Sequence, residues 1–197
     1  MNLYSLVMLV RDPPIARLAS LLDYMRPICP QVVVVVDDRT PQEVVELMQS
    51  WPGVEIVPFT WVDDFAAARN AALDRCSYPW TLHLDPDELP TAALWQFLRD
   101  ASLDGPEAYL FWTVGYFNGT KSPGVEADWH IRLFRTGVGH WYRPLHELVM
   151  LNGDKESKTR ESSRCVKAPE DAYLIHSKSL DECRASDALY AEMAARQ

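Results

Sequence analysis

The sequence predicts an α/β fold with a mostly parallel central sheet, flanked by helices, and three observations carry that reading. Strand and helix signals alternate through the first hundred residues with short connections, the pattern of right-handed crossover units in a doubly wound sheet. Gln31–Asp37 contains five consecutive valines, which suits a strand buried on both faces. From residue 107 the alternation gives way to long aromatic strands and turns, so the C-terminal part reads as mixed.

Taken in order, Leu3–Val10 is an apolar run read as a first strand. Pro13-Pro14 then opens a helix through Ile15, Leu18, Leu22 and Met25, because a proline at a helix start gives up no needed N–H. The valine strand Gln31–Asp37 follows. Thr40-Pro41 starts a helix carrying Val44, Val45, Leu47 and Met48, and Val54–Pro58 is a third strand. Asp64–Arg75 reads as a helix with Phe65, Ala68, Ala72 and Leu73 on its sheet-facing side. Trp80–Leu84 is a fourth strand, stopped by the acidic turn Asp85–Pro90, and Thr91–Ala101 is a helix. Beyond it, Ala108–Phe117, Trp129–Thr136, Glu147–Leu151 and Ala172–His176 read as strands. Gly137–Gly139 marks a turn, Asn152–Pro169 a polar loop, and Leu180–Ala195 a closing amphipathic helix.

With 197 residues and 48% apolar content, the chain is expected to form one domain with a sizeable core. Residues 1–105 form its α/β half and residues 106–197 its mixed half with the last helix. Residues 1–127 carry 8 basic and 17 acidic side chains, whereas residues 128–197 carry 11 of each. An acidic front disfavours a nonspecific binder of phosphate backbones and suits carboxylates gathered around a cation. No apolar run approaches the ~20 residues that span a bilayer. The apolar start lacks a basic leader region and is expected to be a first strand rather than a signal peptide. Cys29, Cys76, Cys165 and Cys183 form no CxxC pair, which points to reduced thiols and a cytoplasmic protein.

Ligands of open parallel sheets bind beyond the carboxyl ends of the strands. Asp37-Asp38 and Asp85-x-Asp87 both fall at such ends, placing two acidic clusters on one rim. Two carboxylates one residue apart can reach Mg²⁺ or Mn²⁺, which retain water and take phosphate oxygens as further ligands. The plain alternative is a solvated acidic turn shaped by Pro86 and Pro90. Trp112, Phe117, Trp129, Trp141 and Tyr142 suit sugar faces, although most such aromatics fill cores. The stretch with Lys155, Lys158, Arg160, Arg164 and Lys167 is locally basic and reads as a solvated loop, with an anionic acceptor as the alternative.

Several segments occur together in a recognisable order: Leu6–Asp12, Val32–Asp37, Trp61-x-x-Asp64-Phe65-x-x-x-Arg69-Asn70, Trp80–Glu88, Arg132-Leu133-Phe134-Arg135, His146-Glu147 and Ile175-His176. Through them, to about residue 178, the chain resembles the GT-A-fold family 2 glycosyltransferases. That resemblance implies a Rossmann-like sheet, with residues 1–105 as the nucleotide-sugar half and residues 106–197 as the acceptor side. It implies sugar transfer from a nucleotide-diphosphate donor, a UDP-sugar first among them, with inversion and with Mn²⁺ or Mg²⁺.

By position, Asp37 resembles the family aspartate on the donor's base or ribose, and Asp85 and Asp87 the metal-binding pair, with Asp85 also touching donor. Where many relatives have Gly-Ser-Thr-Asp after that first aspartate, this chain has Arg39-Thr40-Pro41-Gln42. Asp64 is read at the donor pocket or as a helix cap, and Arg69 as nucleotide contact or structural support. His176 matches the histidine that completes the metal site. Glu147 is the expected base, which must take the acceptor's proton, with Asp128 second. His146, Arg132 and Arg135 are candidate acceptor or diphosphate contacts. The two arginines face opposite sides of a strand, so one of them at most reaches the site.

Two other functions share these features: a nucleotidyltransferase that makes a sugar nucleotide, and a binding module for nucleotide sugars or glycans without turnover. The acceptor could be a glycan, protein, lipid-linked sugar or modified nucleobase. The compact acceptor side allows a homo-oligomer in which another chain helps form that site.

Overall fold

A computed structural model of the chain describes residues 1–117, 120–121, 128–155 and 162–196. Five helices and twelve strands follow one another there. They are β1 (Ser5–Val10), α1 (Ile15–Met25), β2 (Gln31–Asp37), α2 (Gln42–Gln49), β3 (Val54–Phe59), α3 (Phe65–Asn70), β4 (Trp80–His83), β5 (Glu88–Pro90), α4 (Ala92–Asp100), β6 (Ala108–Phe117), β7 (Thr120–Lys121), β8 (Asp128–Arg135), β9 (Gly139–Tyr142), β10 (Leu148–Leu151), β11 (Cys165–Lys167), β12 (Tyr173–Lys178) and α5 (Leu180–Arg196).

The main sheet runs β3-β2-β1-β4-β8-β6-β12-β5, with β7 and β11 also paired to β6. From β3 to β4 it is parallel. Strand β8 then runs antiparallel between β4 and β6, while β11 and β12 follow one another, parallel to β6. The parallel half is as the crossover pattern requires, and the remainder is mixed. Alternation along β1 and β2 fills two cores. Leu6, Met8, Val32 and Val34 pack on one face with Leu18, Val44 and Leu98; Val7, Val33 and Val35 pack on the other with Ala68, Trp141 and Val149. Burial of each such side chain contributes about 1.5–3 kcal/mol, and it also fixes the strand register.

Four sequence readings change. The helix over Asp64–Arg75 ends at Asn70, and a separate 3-10 turn covers Leu73–Arg75. Ala71 N–H already shares Ala67 and Ala68 carbonyls, and Ala72 N–H bonds Arg69, so the ladder tightens there. Glu88–Pro90, read as part of a turn, forms β5 against β12; its proline is tolerated because the strand lies at the sheet edge. Gly139 begins β9 rather than only ending a turn: a Cβ there would lie 2.3 Å from the Phe134 ring. Cys165–Lys167, inside the expected polar loop, is β11.

That stretch is not simply solvated. Arg164 pairs with Glu107 at 2.6 Å and Asp154 at 2.9 Å, and Lys167 lies 5.0 Å over the Trp129 ring. Lys158 and Arg160, and the side chain of Phe117, lie outside the described residues. Among the expected aromatics Trp141 is core, and Trp112, Trp129 and Tyr142 are half-buried. Among the described residues no helix is long and apolar enough to cross a membrane.

Candidate active site

The carboxyl ends of β1, β2 and β4 open into a cavity of about 520 Å³ whose wall includes Arg11, Asp37, Asp85, Asp87, His176 and Tyr190. Arg69, on α3, organises one end of it. Asp64 caps this helix, its side chain accepting from Ala67 N–H at 2.9 Å. The next two motif residues then do different work. Asn70 clamps the backbone of Trp141 from both sides, donating to its carbonyl and accepting from its N–H at 2.9 Å each. Arg69 turns inward.

Its guanidinium donates from Nε to Glu147 Oε1 at 2.6 Å and from Nη2 to Asp85 Oδ1 at 2.8 Å, and Nη1 meets His83 Nε2 at 2.5 Å. Burial works against the charge of Arg69, but Asp85 and Glu147 more than offset it and raise its pKa. Burial would raise the Asp85 carboxyl too; the Arg69 charge, with His83 and Arg132, holds it well below the usual range. His83 lies between Arg69 and Arg132, and burial together with those two charges pushes its pKa down to about 3. Its imidazole is therefore a neutral spacer between two cations. Arg132 also contacts Glu88, which is 2% exposed. Burial, strengthened by the nearby Asp85 charge and opposed by Arg132, pushes Glu88 up to about 7.

Asp87 is held on the other side of the turn. Its Oδ2 lies 2.9 Å from His176 Nε2 and 3.7 Å from Lys178 Nζ. His176 faces Glu88 across the β12–β5 pair. Burial disfavours the charged imidazole, but the Asp87 contact outweighs it and raises the pKa of His176. The Glu147 loop is pinned independently, since Phe65 N–H donates to Pro144 O at 3.0 Å. Arg143 and His146 adopt positive φ of 77° and 51° in that loop, a conformation uncommon outside glycine.

The sequence matches the model of the glycosyl transferase family 2 over residues 16–160. The chain belongs to glycosyl transferase family 2. A TPR repeat-containing protein of Synechococcus elongatus is 37% identical over 113 residues, which is 57% of this chain and 26% of that protein. The fold resembles S. aureus TarS 1-349 in complex with UDP-GlcNAc at 17% identity and TM-score 0.59, covering 90% of this chain and 59% of that one. It also resembles the mannosyltransferase PcManGT of Pyrobaculum calidifontis in complex with GDP-Man and Mn²⁺, at 14% identity and TM-score 0.56, covering 89% and 56%. The chain thus spans about a quarter of the curated relative and under two thirds of these structures.

Within this family 2 chain, Asp37, Arg69, Asp85, Asp87 and His176 line the cleft, whereas Glu147 is not among its lining residues and adjoins it through Arg69. Asp64 is the helix cap and is not among the residues lining the cleft. Arg132 reaches Asp85 and Glu88, whereas Arg135 points away, donating to the Leu103 and Pro106 carbonyls. His146 packs its ring against Tyr190. Asp128 is exposed at the start of β8, opposite Thr113. Asp85, Asp87 and His176 share the cleft without forming a ready ligand set: among the described residues no three His, Cys, Asp or Glu side chains come together to hold a cation.

The sequence reading missed His83, Arg11 and Tyr190. His83 had a signal, a polar residue inside the otherwise apolar Trp80–Leu84 strand. Tyr190 had none, because α5 reads as an ordinary amphipathic helix. It lies outside the family match, yet it supplies Glu182, Ser186, Leu189 and Tyr190 to the cleft. Burial pushes the Tyr190 phenol up to about 12, so it stays a hydroxyl.

Proposed function

We propose that this chain transfers a sugar, with inversion, from a nucleoside-diphosphate sugar to an acceptor hydroxyl. The observation that carries this reading is the buried Arg69 guanidinium, which ties Asp85 of the acidic turn to Glu147. One fixed cation thereby sets the spacing between a diphosphate-facing carboxylate and a base. Glu147 spends Oε1 on Arg69, and no partner for Oε2 is found among the described residues. That oxygen takes the acceptor proton as the acceptor oxygen attacks the anomeric carbon. The bond from that carbon to the diphosphate oxygen breaks, and nucleoside diphosphate leaves. The solved mannosyltransferase complex with GDP-Man and Mn²⁺ and the TarS complex with UDP-GlcNAc support this donor class.

The donor set fits Mg²⁺ or Mn²⁺ with limits. Asp87 and His176 adjoin and face the cleft, while Asp85 is engaged by Arg69. Such ions bind through one or two protein ligands plus water and phosphate oxygens, so Asp87 and His176 would hold one once a diphosphate is present. When bound, it supplies charge neutralisation for the leaving diphosphate.

The test is a panel of sugar nucleotides assayed for released nucleoside diphosphate with Mn²⁺ and with chelator. Release should require the cation. Glu147→Gln should lower the rate ~10²–10⁴-fold with donor affinity near that of the unaltered protein. Pyrophosphate release instead would favour nucleotidyl transfer, and donor binding without any release would leave a binding module.

A further inference from the structure

Helix α5 follows β12 directly and lies outside the family match. Its less exposed positions, Glu182, Cys183, Ser186, Leu189, Tyr190 and Met193, recur at helical spacing and make one inward stripe. That stripe is half polar, unlike a face that serves only a core. Glu182 pairs with Arg17 at 3.1 Å, Ser186 accepts from Lys178 Nζ at 3.3 Å, and Met193 is fully buried. At the far end Arg196 pairs with Asp63 at 2.9 Å. Ion pairs between partly exposed side chains hold weakly, so the helix is fastened lightly. Tyr190 differs from its neighbours on the stripe. Among the described residues no hydrogen bond of its hydroxyl is found, and its contacts run through the ring.

That ring sits where α3 meets the Glu147 loop. It stands edge-on to Phe65 with centroids 6.0 Å apart and tilted against His146 at 5.4 Å. Phe65 lies one helical turn before Arg69, and His146 immediately precedes Glu147, so Tyr190 covers from outside the joint that the Arg69–Glu147 pair makes from within. Tyr190 lines the cleft, whereas Glu147, 15% exposed, does not. After burial itself, the charges of Glu147 and Asp85 raise the Tyr190 phenol, which sets the ring beside both carboxylates. An aromatic side chain therefore stands between the cleft and the base.

A site of this kind has a competitor for its acceptor. Water can also bond through its oxygen to the anomeric carbon while Glu147 takes one of its protons. The bond from that carbon to the diphosphate oxygen then breaks, and free sugar and nucleoside diphosphate leave. Glu147 treats the two hydroxyl donors alike, so selectivity has to come from which of them reaches it. A ring over the base refuses a lone water, which brings no contacts that could displace it. It yields to an acceptor whose own contacts replace those of the ring.

We propose that Tyr190 decides between acceptor and water: its ring covers Glu147 until an acceptor displaces it, so the sugar is transferred and not hydrolysed. This rests on the sugar-transfer reading. Tyr190 is then a positioning residue that acts by its ring, and its hydroxyl is dispensable.

The test uses the full chain with Mn²⁺ and saturating UDP-GlcNAc, UDP-Glc or GDP-Man, without acceptor, and measures nucleoside diphosphate and free sugar. The unaltered protein should bind a donor by calorimetry and release almost no sugar. Tyr190→Ala should release it roughly tenfold faster or more, up to the ~10²–10⁴-fold that a general base contributes; a merely structural role would give no such gain. Tyr190→Phe keeps the ring and should stay as slow as the unaltered protein. Adding Glu147→Gln to Tyr190→Ala should return it to that level. Steady hydrolysis by the unaltered protein, no gain in Tyr190→Ala, an equal gain in Tyr190→Phe, or a gain that survives Glu147→Gln overturns the proposal and leaves the transfer reading standing. No binding of any donor overturns both. The unaltered protein and Tyr190→Phe need no alanine variant, so a misfolded Tyr190→Ala still leaves decisive measurements.

Discussion

Asp37 and Asp85 stand at the carboxyl ends of the two strands that flank β1, and each is held by two arginines. Their surroundings differ. The partners of Asp37 are partly exposed, Arg11 at 34% and Arg39 at 41%, while those of Asp85 are 6% and 11% exposed. At Asp37 the pairing runs outward, through the Trp61 ring and its 2.8 Å hydrogen bond to Asp63, to the exposed Arg196. At Asp85 it continues through His83, Glu88 and Glu147, so every charge in that group depends on another. On the proposed function, the difference separates two tasks: a rim that can adjust to a ligand, and a base of fixed geometry that has to hold reacting groups still.

Removing the central cation tests that contrast most severely. Arg69→Met would leave Asp85 and Glu147 without the guanidinium they share. Breaking a buried pair in this way costs about 3–5 kcal/mol. Urea unfolding should show that loss, along with near-complete loss of sugar transfer. A loss below ~1 kcal/mol would mean that the Asp85 cluster is as loosely held as the Asp37 rim.

A smaller effect comes from His83. Above about pH 6.5 its imidazole is neutral folded and unfolded, and it contributes nothing to pH dependence. Below that, the unfolded chain takes up a proton that the folded one refuses until about pH 3. Stability therefore falls as pH falls through this window, by up to about 1.4 kcal/mol per pH unit. Glu88, pushed up to about 7, acts with the opposite sign between about pH 7 and its ordinary range. The comparison of unaltered protein with His83→Gln isolates the histidine. In metal-free buffer the stability gap between the two should shift in favour of His83→Gln from pH 6 to pH 4. A gap independent of pH would show that this site is open to solvent.

The smallest effect should come from the adjustable rim. Arg39→Ala removes two side-chain contacts to Asp37 and the stacking on Trp61, while the backbone N–H contact survives the substitution. Exposed pairs contribute about 0–1 kcal/mol, so the melting curve should move little. A loss as large as that of Arg69→Met would erase the distinction between the two ends.

The family motifs are local in sequence, and this made much of the site readable. The acidic turn, His176, Glu147 and the Arg-Asn pair were all identifiable from residue type and order, and the alternation of strands placed Asp37 and Asp85 on one rim. What the motifs could not supply was pairing. The family resemblance set both Asp64 and Arg69 at the donor pocket, with a helix cap as the alternative for Asp64, and the fold makes Asp64 the cap and sends Arg69 inward. His83 read as a strand residue, because nothing local reveals the two arginines around it.

The sequence alone determined the parallel half of the sheet, its valine-filled centre and the rim on which the carboxylates gather. These follow from periodicity and from turn chemistry, which act over a few residues. Only the tertiary structure decided which cation each carboxylate meets, that β5 and β11 pair at all, and that α5 supplies Tyr190 to the cleft. Those outcomes join residues far apart in the chain, such as Arg69 with Glu147 and Arg11 with Asp37. Their energies depend on burial and on neighbours brought together only when the sheet closes, so no local pattern records them.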